Sequence, residues 1–243
     1  MKTYAVKLIP VSAFQSFPSS DTLFGAICWG IKRLYGNDKL QEILKQLDNF
    51  SPPFVLSSAY PLLEKGGDVS VRCYPKPIRA GLKTADFEDI AKKIKGKDYK
   101  CAMVDVITKY KKLKKAEYIS ESLFLDIING LGERALFERY QKKDITHVGS
   151  MLMTIEEYNS IWKDSNQHVY MMSTVQKNSI DRLTMTTGEE GQTFYQPEIY
   201  ASNIFHLHFL IKTGDIEFLK PVFKYIEDKG IGGNRSTGKG RFK

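Results

Sequence analysis

Apolar residues recur along this chain in two periods, and those periods place its elements. Tyr4, Val6 and Leu8 alternate with polar neighbours, which predicts a strand over 3–9. After a turn-rich stretch, 10–19, Leu23, Phe24, Ile27, Ile31, Leu34 and Tyr35 return at helical spacing. Ser20 is placed to cap that helix, Asp21 stands in its favourably charged first turn, and Gly36 lies just past its end. Cys28 and Trp29 fall inside it and are assigned to core or interface. Leu40, Ile43, Leu44 and Leu47 predict a second helix over 38–47, which Pro52 and Pro53 end before a short strand, Phe54–Leu56.

The centre of the chain is less regular. Gly66-Gly67-Asp68 reads as a hairpin tip, followed by an extended basic stretch over 72–79. Eleven lysines crowd 83–115, a run that reads as a solvated face. Ser120 is expected to cap a helix that turns Leu123, Phe124, Ile127 and Ile128 inward and ends before Gly130, and 133–146 reads as a polar connection without a period. The C-terminal part is clear again. Phe205, Leu207, Phe209 and Ile211 alternate with His206, His208 and Lys212 in a strand. A helix carrying Phe218, Leu219, Val222, Phe223 and Ile226 follows, starting at Asp215 or, as Pro221 favours, at Lys220. Gly230 closes it, and Arg241-Phe242-Lys243 would begin one more strand.

These elements give β–α at one end and β–α–loop–β at the other. With one more strand between, that is the order of a ferredoxin-like βαββαβ core of the α+β class, interrupted by a long helical and β insertion at about 38–203. Such an open sheet is a common platform for RNA.

Composition sharpens this reading. The 243 residues are 42% hydrophobic and 26% charged, which describes a globular chain. The net charge of +8 points to an acidic partner, nucleic acid first. Three cysteines, an odd count without metal-ligand spacing, fit a reducing cytoplasm. No apolar run approaches eighteen residues and no secretory leader pattern opens the chain, so no membrane is expected.

The candidate chemistry lies in two stretches. Residues 230–243 (GIGGNRSTGKGRFK) interleave Gly232, Gly233, Gly238 and Gly240 with Asn234, Arg235, Ser236, Thr237, Lys239 and Arg241. Successive amides in such a loop form an anion-binding concavity, and the cations add the right sign for a phosphate backbone; the same composition also describes a mobile basic tail. The run from Gly233 to Lys239 imitates a nucleotide-binding P-loop, yet Gly240 replaces the magnesium-holding hydroxyl and too little chain follows for the helix such a loop opens. In the second stretch, 176–195, Lys177, Asn178, Arg182, Thr184, Thr186 and Thr187 surround Gly188 and Gly191 with few apolar anchors. It suits the lining of a nucleic-acid groove or an exposed hairpin.

Together with Ser19-Ser20-Asp21-Thr22-Leu23-Phe24-Gly25, the run Lys177-Asn178-Ser179-Ile180-Asp181-Arg182-Leu183-Thr184 and the ending Gly238-Lys239-Gly240-Arg241-Phe242 resemble, in this order, the RAMP superfamily of CRISPR-associated proteins. Within it the trio is similar to the fourth-subunit family of type III-A Csm complexes. The resemblance implies a non-catalytic subunit without cofactors. It would hold the repeat-derived 5′ tag of crRNA and join the large polymerase-like subunit to the backbone RAMP subunits. It also implies that Gly232, Gly233, Asn234, Arg235, Ser236, Thr237, Gly238, Lys239 and Arg241, with Lys177, Asn178, Arg182, Thr184, Thr186 and Thr187, contact the tag. Relatives continue past this ending into more sheet, so a second ferredoxin-like domain is expected to be incomplete. The rival within the superfamily is an endoribonuclease that processes precursor crRNA. Metal-free cleavage needs a base, and the histidines are His147, His168, His206 and His208. None stands on the first helix or the loop after it, and His206 and His208 read as polar groups on a sheet surface.

Overall fold

A computed structural model describes residues 1–243 apart from 68, 95, 97, 163–167, 179, 181, 182, 185 and 188–192. The chain is mixed α+β and divides into two units, Met1–Ala59 with His168–Lys243, and Tyr60–Gln167. The first opens with β1 (Lys2–Leu8), α1 (Ser20–Asp48) and β2 (Phe54–Leu56). The second unit contains β3 (Tyr60–Lys65), β4 (Val69–Pro75), α2 (Thr84–Lys92), α3 (Tyr99–Lys114) and β5 (Tyr118–Ser120). It continues through α4 (Glu121–Ile128), α5 (Glu133–Gln141), β6 (Ile145–Val148), β7 (Met151–Thr154) and α6 (Ile155–Trp162). The chain then returns to the first unit with β8 (Tyr170–Asn178), β9 (Thr193–Ala201), β10 (Phe205–Thr213) and α7 (Ile216–Lys229).

In the first unit β10 is the central strand. It pairs antiparallel with β1, Val6 opposite Phe209, and with β2, Ile211 opposite Leu56. Its odd positions, Phe205, Leu207, Phe209 and Ile211, are buried, as alternation predicts. His208 is buried too, at 2% exposure, so it is not the sheet-surface group expected. Helices α1 and α7 pack on each other so closely that a Cβ at Gly30 would stand 2.7 Å from Val222 Cγ1. Past Gly240 the chain meets the end of β1: Pro10 bridges Phe242, and Ile9 and Lys243 exchange backbone hydrogen bonds of 2.8 and 2.9 Å. The strand start expected at 241–243 is therefore seen as a single bridge.

Helix α1 departs from expectation in three ways. Its N-cap is Ser19, not Ser20; Ser19 Oγ lies 3.0 Å from Thr22 Oγ1, while the Ser20 amide donates to Ser58 Oγ. Gly36, at φ 88° and ψ 172°, is a break between two helical runs, which join into one bent element because only glycine adopts that conformation readily. Trp29 is 54% exposed, not core: it lies two positions from both Ile27 and Ile31, which at 100° per residue is the far side of the helix. In α7 the early start prevails. The Asp215 carboxylate accepts from the Phe218 amide at 3.0 Å, and the helix runs through Pro221 to Gly230, whose φ of 77° closes it. The carboxylate cap outweighs the one backbone bond that proline removes so near the helix start.

The second unit orders its sheet β3-β4-β5-β7-β6, with β5 and β7 parallel and the other neighbours antiparallel. The β3–β4 hairpin turns at Gly66 and Gly67, as their positive φ allows. In α3, Ala102, Val106, Tyr110 and Leu113 form the buried stripe, and most of the lysines of 109–115 face solvent. Ser120 precedes α4 as expected, but Ile128 is 61% exposed and does not turn inward. The largest departure is 133–146. Instead of a polar connection it forms α5, with Leu136 and Phe137 fully buried, and then β6. Two adjacent buried residues in nine give too little period to read, and core burial supplies what the pattern lacks.

Candidate nucleic-acid interface

The glycine loop begins where α7 ends. Ile231, buried, donates its amide to the Gly240 carbonyl at 2.8 Å, and the Gly240 amide donates to Ala13 O at 2.9 Å. Gly240 is at φ +68°, and a Cβ there would collide with the Ile231 carbonyl oxygen. The base of the loop is thus closed by backbone alone. Above it Asn234 and Gly238 take left-handed conformations around a single 3₁₀ turn, Arg235–Thr237, which leaves Arg235, Ser236 and Thr237 exposed. The Thr237 amide and hydroxyl both donate to Asn234 O, at 3.0 and 2.9 Å, so the tip is a built turn and not a loose tail.

Residues 10–17 connect this loop to the β8–β9 hairpin. On one side Val11 donates to Arg241 O at 2.9 Å and Arg241 donates to Ser12 Oγ at 2.9 Å. On the other side Phe14 and Ile199 exchange backbone bonds of 3.2 and 2.7 Å. Phe14, with its ring 5.4 Å from that of Phe242, and Phe17, 5.8 Å from Phe205, anchor the connection in the core. A side-chain tie runs the same way. Glu198 of β9 is 2% exposed and accepts from Lys239 Nζ at 2.8 Å and from Tyr200 Oη at 2.7 Å, while the ammonium lies 5.6 Å from the Tyr200 ring centroid. Lys239 and Tyr200 hold the Glu198 carboxyl below the usual carboxylate range, and Glu198 in turn raises the Lys239 ammonium.

Most of the expected contact residues fall into two groups. Gly232 to Gly238 stand at the loop tip, and Arg241 is exposed at its exit, while Lys239 is turned into the tie. Lys177 and Asn178 end β8, opposite Phe194 and Thr193 of β9. Thr184, Thr186 and Thr187 lie beyond them, with Thr184 Oγ1 2.9 Å from Thr186 Oγ1. Arg182 falls outside the described residues. Sequence reasoning did not bring together Trp29 and Arg33 on α1 with Tyr225 and Lys229 on α7. They line a cavity of about 250 Å³ beside Gly230 and Arg235. An exposed tryptophan amid lysine and arginine was the available signal. Of the histidines, His208 is buried in β10 and His147 packs edge-on against Tyr140, where burial lowers its pKa. Among the described residues no three His, Cys, Asp or Glu side chains gather as metal ligands, and no helix is long and apolar enough to cross a membrane.

Known proteins resemble this chain in sequence and fold. The CRISPR system Cms protein Csm4 of Thermococcus onnurineus (strain NA1) is 28% identical over 250 residues, spanning 99% of this chain and 67% of that protein. Among solved structures, a chain of the Csm3–Csm4 subcomplex in the type III-A CRISPR-Cas interference complex superposes at a TM-score of 0.61 with 19% identity, over 100% of this chain and 68% of that one. A chain of the Csm1–Csm4 cassette in complex with cA4 does so at 0.51 with 20% identity, over 93% and 67%. At these identities the superpositions speak for the fold. The sequence profile of the RAMP superfamily runs from residue 19, at the cap of α1, to residue 243, beyond the glycine loop; the chain belongs to that superfamily.

Proposed function

We propose that the protein is the Csm4-type subunit of a type III-A CRISPR interference complex, a non-catalytic cytoplasmic protein that holds the 5′ tag of crRNA and joins the large polymerase-like subunit to the backbone RAMP subunits. Similarity to Csm4 along nearly the whole chain supports the subunit assignment. A fold shared with chains of the Csm3–Csm4 and Csm1–Csm4 assemblies suits contacts with both kinds of neighbour. The observation that carries the RNA reading is the glycine loop, whose base is fixed by backbone bonds while Arg235, Ser236 and Thr237 stand out in solvent. The exposed glycine backbone at 232 and 233, the Ser236 hydroxyl and the Arg235 guanidinium on a rigid turn are suited to a phosphate backbone, and base edges or stacking would add sequence preference.

We read the first unit as a ferredoxin-like core. The bridge at Phe242 lies just past the end of β1, β1 lies beside β10 and β10 beside β2, all antiparallel, and α1 and α7 serve as the two crossover helices. The part between β2 and β10 is then the insertion. Within the proposed contact set, Arg235 and Arg241 carry available charge, while Lys239 acts chiefly by holding the loop against β9.

Crosslinking the protein to RNA in its native host, followed by sequencing, tests this. Reads should pile up on one repeat-derived 5′ tag, and Arg235→Ala should weaken tag binding and reduce the salt slope by about one phosphate contact. Reads scattered across cellular transcripts would overturn the tag assignment.

A further inference from the structure

Beside the glycine loop the surface carries a groove that none of the expected contact residues explains by itself. Its floor lies between α1 and α7. The cavity of about 250 Å³ lined by Trp29, Arg33, Tyr225 and Lys229 adjoins a second of about 550 Å³ along Gly232 to Ser236, and the two share Tyr225, Lys229 and Arg235. Among the described residues no Asp or Glu lines either cavity. Trp29 stands at one end, 54% exposed, with Lys32 Nζ 5.3 Å and the Arg33 guanidinium 5.9 Å from its ring centroid. Asn234 stands at the other end, where its buried side-chain nitrogen has no hydrogen-bond partner among the described residues.

An exposed tryptophan on a helix adds little to folding and is free to be covered by a partner, and its neighbours decide what can cover it. Lys32, Arg33, Lys229 and Arg235 beside it disfavour a basic surface and favour a polyanion. A flat ring beside a run of cations is the arrangement by which proteins hold single-stranded nucleic acid, with the ring taking a base and the cations taking phosphates. A double helix does not offer a free base face to such a ring.

We infer that Trp29 is a stacking platform for one unpaired nucleobase, and that Arg33, Lys229 and Arg235 lead its phosphates along the groove to the glycine loop. This rests on the RNA-binding reading above and extends it to α1 and α7. The bound strand runs from the loop tip, where backbone amides meet phosphate, across Lys229 to Trp29, where one base is splayed out of its stack.

The test uses the whole chain with Trp162→Phe, so that Trp29 is the single tryptophan of a protein that has two. The probes are a single-stranded RNA of the host's tag sequence and copies with one abasic nucleotide at successive positions. Tag RNA should quench Trp29 emission, and Trp29→Ala should bind about ten-fold more weakly while Trp29→Phe stays within about three-fold. One abasic position should weaken wild-type binding by a similar factor and add nothing in Trp29→Ala, because each removes the same contact. Tag RNA that binds without changing Trp29 emission, and binds Trp29→Ala equally well, overturns the platform, leaves the tag reading standing and assigns the groove to an acidic protein segment. Tag RNA that binds none of the variants overturns both.

Discussion

The glycine loop and the β8–β9 hairpin are built in opposite ways. The loop is held by its own backbone: Ile231, Gly240 and Ala13 close its base, and its tip folds on Asn234. The hairpin is held by register between two strands, and most of its side chains are exposed, Met171, Met172 and Tyr195 at 65, 65 and 68%. Only its root, at Ile199 and Glu198, is buried. A fixed loop can present amides at set positions, whereas a two-stranded ribbon anchored at one end can adapt to what it touches. The Glu198–Lys239 pair is the side-chain tie between these two kinds of element.

The sharpest way to break this contrast is to disturb the base of the loop. Gly240→Ala sets a Cβ against the Ile231 carbonyl and forces a left-handed conformation on alanine. Strain and clash together should cost about 3 kcal/mol or more, lowering Tm by roughly 6–12 °C and abolishing RNA binding. Gly238→Ala is the control, since φ is +80° but nothing lies within 4 Å of the added carbon, and about 1 kcal/mol is expected. Equal melting of the two variants would show that the base is not what fixes the loop.

The tie comes next in size. Glu198→Gln keeps the shape and removes the charge that Lys239 and Tyr200 meet, which should cost about 2 kcal/mol at neutral pH. The pH dependence gives its sign. A carboxyl whose folded pKa lies below its ordinary 4.5 stabilises the fold above that value, and the contribution is lost as pH falls through the folded pKa. Lys239, raised above its ordinary 10.5, contributes below that value and loses its part as pH rises through the folded pKa. Wild type and Glu198→Gln should therefore differ between those limits and converge in acid. A difference that persists unchanged at pH 3 would assign the effect to packing.

The two regions also differ in how far the sequence revealed them. The loop was legible because its signals are local: helical spacing leads to Gly230, and the glycines that follow have few other uses. Strand β10 and helix α7 were legible for the same reason, since nine and fourteen residues are long enough to show a period. The tie was not, because Glu198 and Lys239 are 41 residues apart and either alone reads as an ordinary surface charge. Residue type alone leaves Trp29 between core and interface, although its angle from Ile27 and Ile31 already places it outside the core. Helix α5 was lost because its buried residues, Leu136 and Phe137, sit side by side among charges, and the parallel pairing of β5 with β7 is a long-range choice that no local pattern encodes.

The smallest expected effect sharpens the comparison most. Gly233 has no positive φ, and a Cβ there meets only the amide group at the flexible end of Gln15. Folding therefore does not demand glycine at 233, and Gly233→Ala should change stability by less than about 0.5 kcal/mol. Yet Gly233 lines the larger cavity beside Arg235, where a methyl group would keep a phosphate from the loop amides. Thermal unfolding and RNA titration on one preparation separate the two demands. Unchanged melting with several-fold weaker binding would mean that this glycine serves the ligand's approach, as Gly240 serves the loop's own closure. Unchanged melting with unchanged binding would move the phosphate path away from 233, toward Arg235 and the Lys229 side of the groove.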